Sequence, residues 1–208
     1  LLGGVTRLTE SGLSMVEWRP IMGIWPPIGE SAWAEVFAKY QQFPEYQKIN
    51  RGMSLDEFKV IFMYEYLHRV LGRLIGLLFA VPLLFFALRG WVRPGLMPRL
   101  LLLFFLGGCQ GLLGWYMVQS GLVDRPSVSQ YRLTAHLGLA VALYAAILWQ
   151  VFNLWPRSAR PPAPGRVFSR AGGIALALMA LVYAMILSGG LVAGTDAGFS
   201  YPTWPRMG

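Results

Sequence analysis

The chain has 208 residues, 55% of them hydrophobic and only 13% charged, with a mean hydropathy of +0.49. A composition this apolar excludes an ordinary soluble domain and points to an integral membrane protein. Lys and Arg number 18 against 10 Asp and Glu, a formal charge of +8 that in a soluble protein would suggest nucleic acid; its confinement to two short connections excludes that partner.

Residues 1–59 read as the end of a first helix followed by a long outer-face loop rich in Trp, Phe and Tyr. Within the loop, Ser31 is expected to cap a short amphipathic helix through Phe43. Trp33, Phe37 and Tyr40 fall on one side of it, and Pro26-Pro27 and Pro44 bound it. Packing on the membrane face as an interfacial anchor is its expected role, with partner binding as the alternative. Ser54-Leu55-Asp56-Glu57 has the spacing of a capping box that opens the next helix.

Four apolar stretches, 60–88, 98–119, 132–155 and 170–193, reach the length that crosses a bilayer. In hydrocarbon they must be helices, because every backbone N–H and C=O needs an internal partner. Arg89, Arg93 and Arg99 cluster about the first connection, Arg157, Arg160, Arg166 and Arg170 about the third, and neither carries an acid. Both connections therefore face the cytoplasm or matrix. The near-balanced charges of 1–59, and Asp124 and Arg125 in the 120–131 loop, belong outside. The single cysteine, Cys109, allows no intrachain disulfide and reads as a small residue of a helix interior.

Residues 3–14, GGVTRLTESGLS, align without gaps to residues 189–200, GGLVAGTDAGFS, and the match continues from Trp18 and Met22-Gly23 to Trp204 and Met207-Gly208. This is an internal repeat of about 186 residues. Gly189-Gly190 closes a spanning helix, so Gly3-Gly4 should close one too. The expected fold is an all-α integral membrane protein, a four-helix-bundle half of a two-repeat architecture of eight transmembrane helices. The chain then reads as a fragment running from the end of helix one through helix five. Its expected units are 1–59, the end of the first helix and outer loop; 60–155, three transmembrane helices carrying the site; 156–169, an inner-face loop; and 170–208, the first helix and outer loop of the second repeat.

His68 and His136 are the only histidines, and each lies a few residues inside the same, outer end of an apolar segment. At 100° per residue, Glu65, His68, Arg69, Gly72 and Gly76 share one narrow face, with Arg73 at its margin. Ionisable groups in such segments are costly and by default functional. The glycines clear space for a flat macrocycle or for a neighbouring helix, and both uses stay open here. In the next segment Gly107, Gln110, Gly111 and Gly114 share a face, with Gln110 as interhelical glue or a substrate contact. Both histidine helices run from outside to inside, so the imidazoles can reach equal depth. That suits axial ligation of one iron by two neutral ring nitrogens. A closed zinc site would need more ligands. Arg69, Arg73 and Arg132 suit pairing with carboxylates such as propionates.

The segments Glu65-Tyr-Leu-His68-Arg-Val-Leu-Gly72-Arg73, Gln110-Gly-Leu-Leu-Gly114-Trp115-Tyr116-Met-Val, Ser129-Gln-Tyr131-Arg132-Leu-Thr-Ala-His136-Leu-Gly138 and Ala193-Gly194-Thr-Asp196-Ala-Gly198 together resemble the heme A synthase family. Pro44-Glu45-Tyr46 and Met53 to Lys59 resemble its mitochondrial and alphaproteobacterial branch. The resemblance implies an eight-helix inner-membrane enzyme that oxidises the C8 methyl of haem O to a formyl group, making haem A for terminal oxidases. It implies that the half with His68 and His136 is the substrate site, that histidines of the other half hold a haem b cofactor, and that Glu65 matches the family's functional glutamate.

The expected site thus has Glu65, His68 and His136 as catalytic residues. His68 and His136 stand on the iron, with Arg69, Arg73, Arg132, Gln110, Gly72 and Gly111 around the ring. Expected partners are haem O, the haem O synthase that supplies it, the lipid bilayer and a second copy of the chain, with no nucleic acid. The expected setting is the bacterial plasma (inner) membrane, or alternatively the mitochondrial inner membrane. Without a second histidine pair the fragment alone is expected to be inactive. The competing readings are a bis-histidine membrane cytochrome b for electron transfer and a non-catalytic haem carrier or assembly factor.

Overall fold

The computed structural model describes residues 2–17, 24–123, 126–155 and 169–200, and every regular element among them is helical. Trp18 to Gly23, Asp124-Arg125, the arginines at 157, 160 and 166, and the repeat match from Trp204 to Gly208 lie outside the described residues. The elements are α1 (Leu2–Leu8), α2 (Glu30–Tyr40), α3 (Pro44–Lys48), α4 (Leu55–Leu88), α5 (Met97–Gln119), α6 (Gln130–Leu154) and α7 (Arg170–Gly194), followed by a 3₁₀ turn at Ala197–Phe199. Helices α4 to α7 are each long and apolar enough to cross a membrane. Their bounds fall close to the four stretches read from hydropathy.

Helix α4 has 34 residues, about 51 Å at 1.5 Å per residue. That exceeds the ~30 Å of hydrocarbon in a bilayer. Part of the helix therefore extends beyond a single apolar thickness. The capping box is complete: the Glu57 main-chain N–H donates to Ser54 Oγ at 3.3 Å, and the Ser54 main-chain N–H donates to Glu57 Oε2 at 2.8 Å.

The amphipathic helix departs from expectation at both ends. Ser31 is not its cap; α2 begins at Glu30 after Gly29, whose φ of 84° is in the region glycine adopts freely, and no side chain caps it. It stops at Tyr40 rather than Phe43, because Pro44 occupies the first turn of a separate helix, where its missing N–H costs nothing. The aromatic side is turned onto the first turns of α4. Trp33 meets Phe62 edge-on at 5.1 Å, Phe37 lies 5.0 Å from Phe58, and Tyr40 stacks on Phe58 at 5.0 Å. Tyr40 and Phe58 are fully buried, each burial contributing roughly 1.5–3 kcal/mol. By contrast at most 11% of any apolar spanning window is buried within the chain, so contacts inside the chain leave most of the spans' apolar surface uncovered.

Glu45 is buried in this outer lobe beside Tyr40. Burial pushes its carboxyl up to about 8, against a hydrogen bond with Tyr40 and reinforced by the charges of Glu65 and Glu10. Unfolded, the carboxyl titrates near its ordinary value, so its stabilising effect is complete below pH ~4.5 and is lost as pH rises through about 8. Between those limits the lobe is expected to loosen with rising pH, and Glu45→Gln to flatten that dependence. Amide hydrogen exchange across residues 30–50, measured from pH 5 to 9, checks this. An unchanged pH dependence in the variant would exclude Glu45 as the cause.

The sequence repeat has a backbone counterpart. Glu10 and Asp196 are aligned with each other, and among the described residues they are the two non-glycine positions with positive φ, 50° and 54°. Arg7 Nη2 donates to the carbonyl oxygen of Ala193 at 2.6 Å, across 186 residues, and pairs with Asp196. Ala193 is the residue the alignment sets opposite Arg7. Helices α1 and α7 therefore meet at equivalent points of the two repeats.

Candidate functional site

The structure places His68 on α4 and His136 on α6. Each ring has a glycine from another helix behind it. A Cβ at Gly3 would stand 3.2 Å from His68 Cε1, and one at Gly114 would stand 3.0 Å from His136 Cε1. Any side chain at either position would press on the imidazole, so these glycines set where the rings lie. Gly3 was visible in the sequence only as part of the repeat, with nothing to connect it to His68, 65 residues away.

Glu65 is 3% exposed, and both its oxygens are occupied. Oε1 accepts from Arg69 Nη2 at 2.5 Å; Oε2 accepts from Ser14 Oγ at 2.8 Å and from the Met15 main-chain N–H at 2.7 Å. Arg69 also donates to the carbonyls of Met15 and Glu17, at 2.8 and 3.1 Å. The segment after α1 is thus sewn to α4 one turn from His68. Ser14 is a site residue that sequence reasoning missed, although it closes the repeated block.

The other expected residues are distributed as follows. Arg73 lines a cavity of about 220 Å³ with Met15, Glu17, Trp25 and Lys39, between α2 and α4. Arg132 donates to the Tyr116 carbonyl at 2.7 Å, with its guanidinium 3.6 Å from the Tyr116 ring centre. The structure thus turns Arg69 and Arg132 onto protein acceptors. Gln110 Nε2 donates to the His136 carbonyl at 3.0 Å and lies 3.4 Å from its ring Nε2. It is interhelical glue whose partner is the histidine itself. Gly72, Gly76, Gly107 and Gly111 would meet nothing within 4 Å if they carried a Cβ. Among the described residues, these glycines are therefore not used for close helix packing.

These features fit a flat macrocycle with a central metal. The glycine faces beside the histidines are open, and among the described residues His136 Nδ1 and Gln110 Oε1 are buried with no hydrogen-bond partner. Chemically, the arrangement offers two imidazole nitrogens as ligands and a buried carboxylate, held by three hydrogen-bonding groups, one helical turn from one of them.

Comparison with known proteins gives a consistent result. The model of the cytochrome oxidase assembly protein family matches residues 1–208. The chain is similar to the protein named heme A synthase of Nitrosospira multiformis, 53% identical over 213 residues, and to those of Parvibaculum lavamentivorans, 50% over 207, and Rhodospirillum centenum, 51% over 209. All of this chain is covered in each case, and 58%, 59% and 55% of the relatives respectively. The chain therefore spans somewhat over half the length of the curated relatives it matches. No solved structure matches it. With four spans and these bacterial relatives, it is a multi-pass protein of the bacterial inner membrane. A family match over the full 208 residues, carried on a helical membrane frame, places the chain in the cytochrome oxidase assembly protein family.

Proposed function

We propose that the chain carries the haem-substrate half of a heme A synthase, an oxidoreductase that converts the C8 methyl of haem O to the formyl group of haem A. The observation that carries this reading is the pair His68 and His136, each backed by a glycine and flanked by open glycine faces. Residues 60–155 form the substrate site, and 170–208 open a second half whose histidines, outside this sequence, hold a haem b cofactor. Haem O reaches the site from the haem O synthase.

In this reading His68 and His136 bind the macrocycle through ring nitrogens, and Gly72 and Gly111 leave room for its faces. Bound haem iron supplies the redox chemistry at the ring methyl. Arg73 meets a propionate from the outer cavity. Arg69 and Arg132, both bonded to protein, stand at the propionate edge. Glu65 holds a proton at its carboxyl oxygens, and Ser14, Met15 and Arg69 fix where that proton sits. The aromatic lobe of α2 and α3 shields this end of α4 from water.

Glu65→Gln keeps the shape and removes the group that can take up and release a proton. It is expected to lower haem A formation by the intact gene product at least 10²-fold, the lower bound for a positioned general acid or base, while haem stays bound. Mass analysis of extracted haem in cells that make haem O but lack haem A measures this. Undiminished haem A would sink the proton role and leave Glu65 as a structural partner of Arg69. Retained haem with no conversion in the unaltered protein would favour the cytochrome or carrier reading.

A further inference from the structure

The repeat in the sequence is also a repeat of structure. Helix α1 ends at Leu8 and α7 at Gly194, which the alignment sets opposite each other. The Thr9 hydroxyl donates to the Val5 carbonyl at 2.9 Å, and its mate Thr195 donates to Leu191, the mate of Val5, at 3.0 Å. Both turns then pass through a positive φ, at Glu10 and at Asp196. Both close with a main-chain bond, from Ser14 to Ser11 at 3.4 Å and from Ser200 to Ala197 at 3.1 Å. Equivalent positions of two such copies call for equivalent neighbours.

Within this chain, however, the two copies use different faces. On α1, Gly3 meets the His68 ring, a Cβ there standing 3.2 Å from Cε1, whereas Gly4 would meet nothing within 4 Å and Leu8 is 87% exposed. On α7 the contacts are exchanged. Gly190 and Gly194, the mates of Gly4 and Leu8, pack on α6, with a Cβ standing 3.0 Å from Thr134 Oγ1 and 2.6 Å from Gln130 Cα. Gly189, the mate of Gly3, would meet nothing within 4 Å. Each copy thus lacks the contact that the other makes. Arg7 donates to the carbonyl of Ala193, its own mate, and a residue that meets its own mate lies beside a two-fold axis. The operation that carries α1 onto α7 supplies both missing contacts: a counterpart of α6 for Gly4 and a counterpart of α4 for Gly189.

Resting on the two-haem reading above, we propose that Gly189 is a positioning residue of the haem b site: in the intact gene product it stands behind the ring of a histidine one repeat on from His68, as Gly3 stands behind His68. This chain then contributes a wall of the cofactor site, although the histidines of that site lie outside its sequence. Groups that fix the orientation of a metal-binding imidazole act on affinity through the ring and need not touch the metal.

The test uses the intact gene product from cells that make haem b and haem O, with G3V as the reference and G189A and G189V as the probes. Haem b and haem O retained on washing are measured separately by mass analysis of extracts. Ligation is read from the high-spin fraction in electron paramagnetic resonance spectra.

G189V is expected to weaken haem b retention roughly 10-fold, with new high-spin iron, and to leave haem O in place. G3V is expected to do the reverse. G189A, with a single methyl against the ring, should change haem b in the same direction and by less, although a helix favours Ala over Gly. If Val at 189 prevents folding, judged by size exclusion, G189A carries the test, read as high-spin iron at an unaltered or raised melting temperature. Haem b held at the unaltered level and in low spin by both variants at 189, with G3V losing haem O, would overturn the proposal. So would equal loss of both haems in G189V, the mark of a displaced helix. Unaltered protein that retains haem O and no haem b would defeat the two-haem reading, and this inference with it.

Discussion

Alanine at position 68 or 136 is expected to abolish haem A formation by the intact gene product, each by at least the ~100-fold that losing even an outer partner of a metal ligand can cost. The two replacements should be nearly equivalent, because in the proposed function each imidazole would supply one nitrogen to the same site. Neither should unfold the protein. His68 stands against Gly3 and His136 against Gly114, so removing a ring empties space at a helix contact without leaving a charge unpaired. Adding imidazole to His68→Gly or His136→Gly should restore part of the bound haem and its low-spin spectrum. A structural histidine would show no such rescue. Haem A output within a few-fold of the unaltered protein in both alanine variants would dispose of the site.

The second large effect is expected at Gly194. Here α7 crosses the start of α6 so closely that a Cβ would stand 2.6 Å from Gln130 Cα. The obstructing atom is backbone and cannot swing aside. The same seam continues at Gly190, 3.0 Å from Thr134 Oγ1, and at Gly138, 2.8 Å from a Leu187 methyl. Small residues bring these helices together where lipid provides no hydrophobic drive between them. Gly194→Val must separate the helices, and the cost is expected near the upper end of the 1–3 kcal/mol range for overpacking. Gly173→Ala, on the same helix with nothing within 4 Å, should instead be neutral or slightly stabilising. Thermal unfolding of the two variants in one detergent checks the contrast, and equal melting temperatures would refute the seam.

Much of the frame was legible because a bilayer imposes local rules. The spans follow from apolar length, and the start of α4 from Ser54 and Glu57, three residues apart, which satisfy each other without help from elsewhere. Pro44 was read as a boundary, which it is, but its second role as the opening of α3 was not read. Ser31 failed as a cap because Gly29 supplies the turn two residues earlier.

The candidate site residues could be proposed from the sequence, but their contacts could not. The spacing of Glu65 and Arg69 on one helix permits the pair they form, an interaction of one turn. It did not foretell that Ser14 and Met15, about fifty residues earlier, hold the other oxygen of Glu65. Nor did it foretell that Gln110 is bonded to His136, or that Trp33, Phe37 and Tyr40 face α4.

By itself the sequence determined the solvent, the four spans, the repeat and the residues able to carry chemistry, since each depends on composition or on periods of a few residues. Only the tertiary structure decided which glycine stands behind which histidine, what the arginines and Gln110 bond, and where α7 meets α6. Those depend on helix rotation and approach, which are fixed by contacts between residues far apart in the chain.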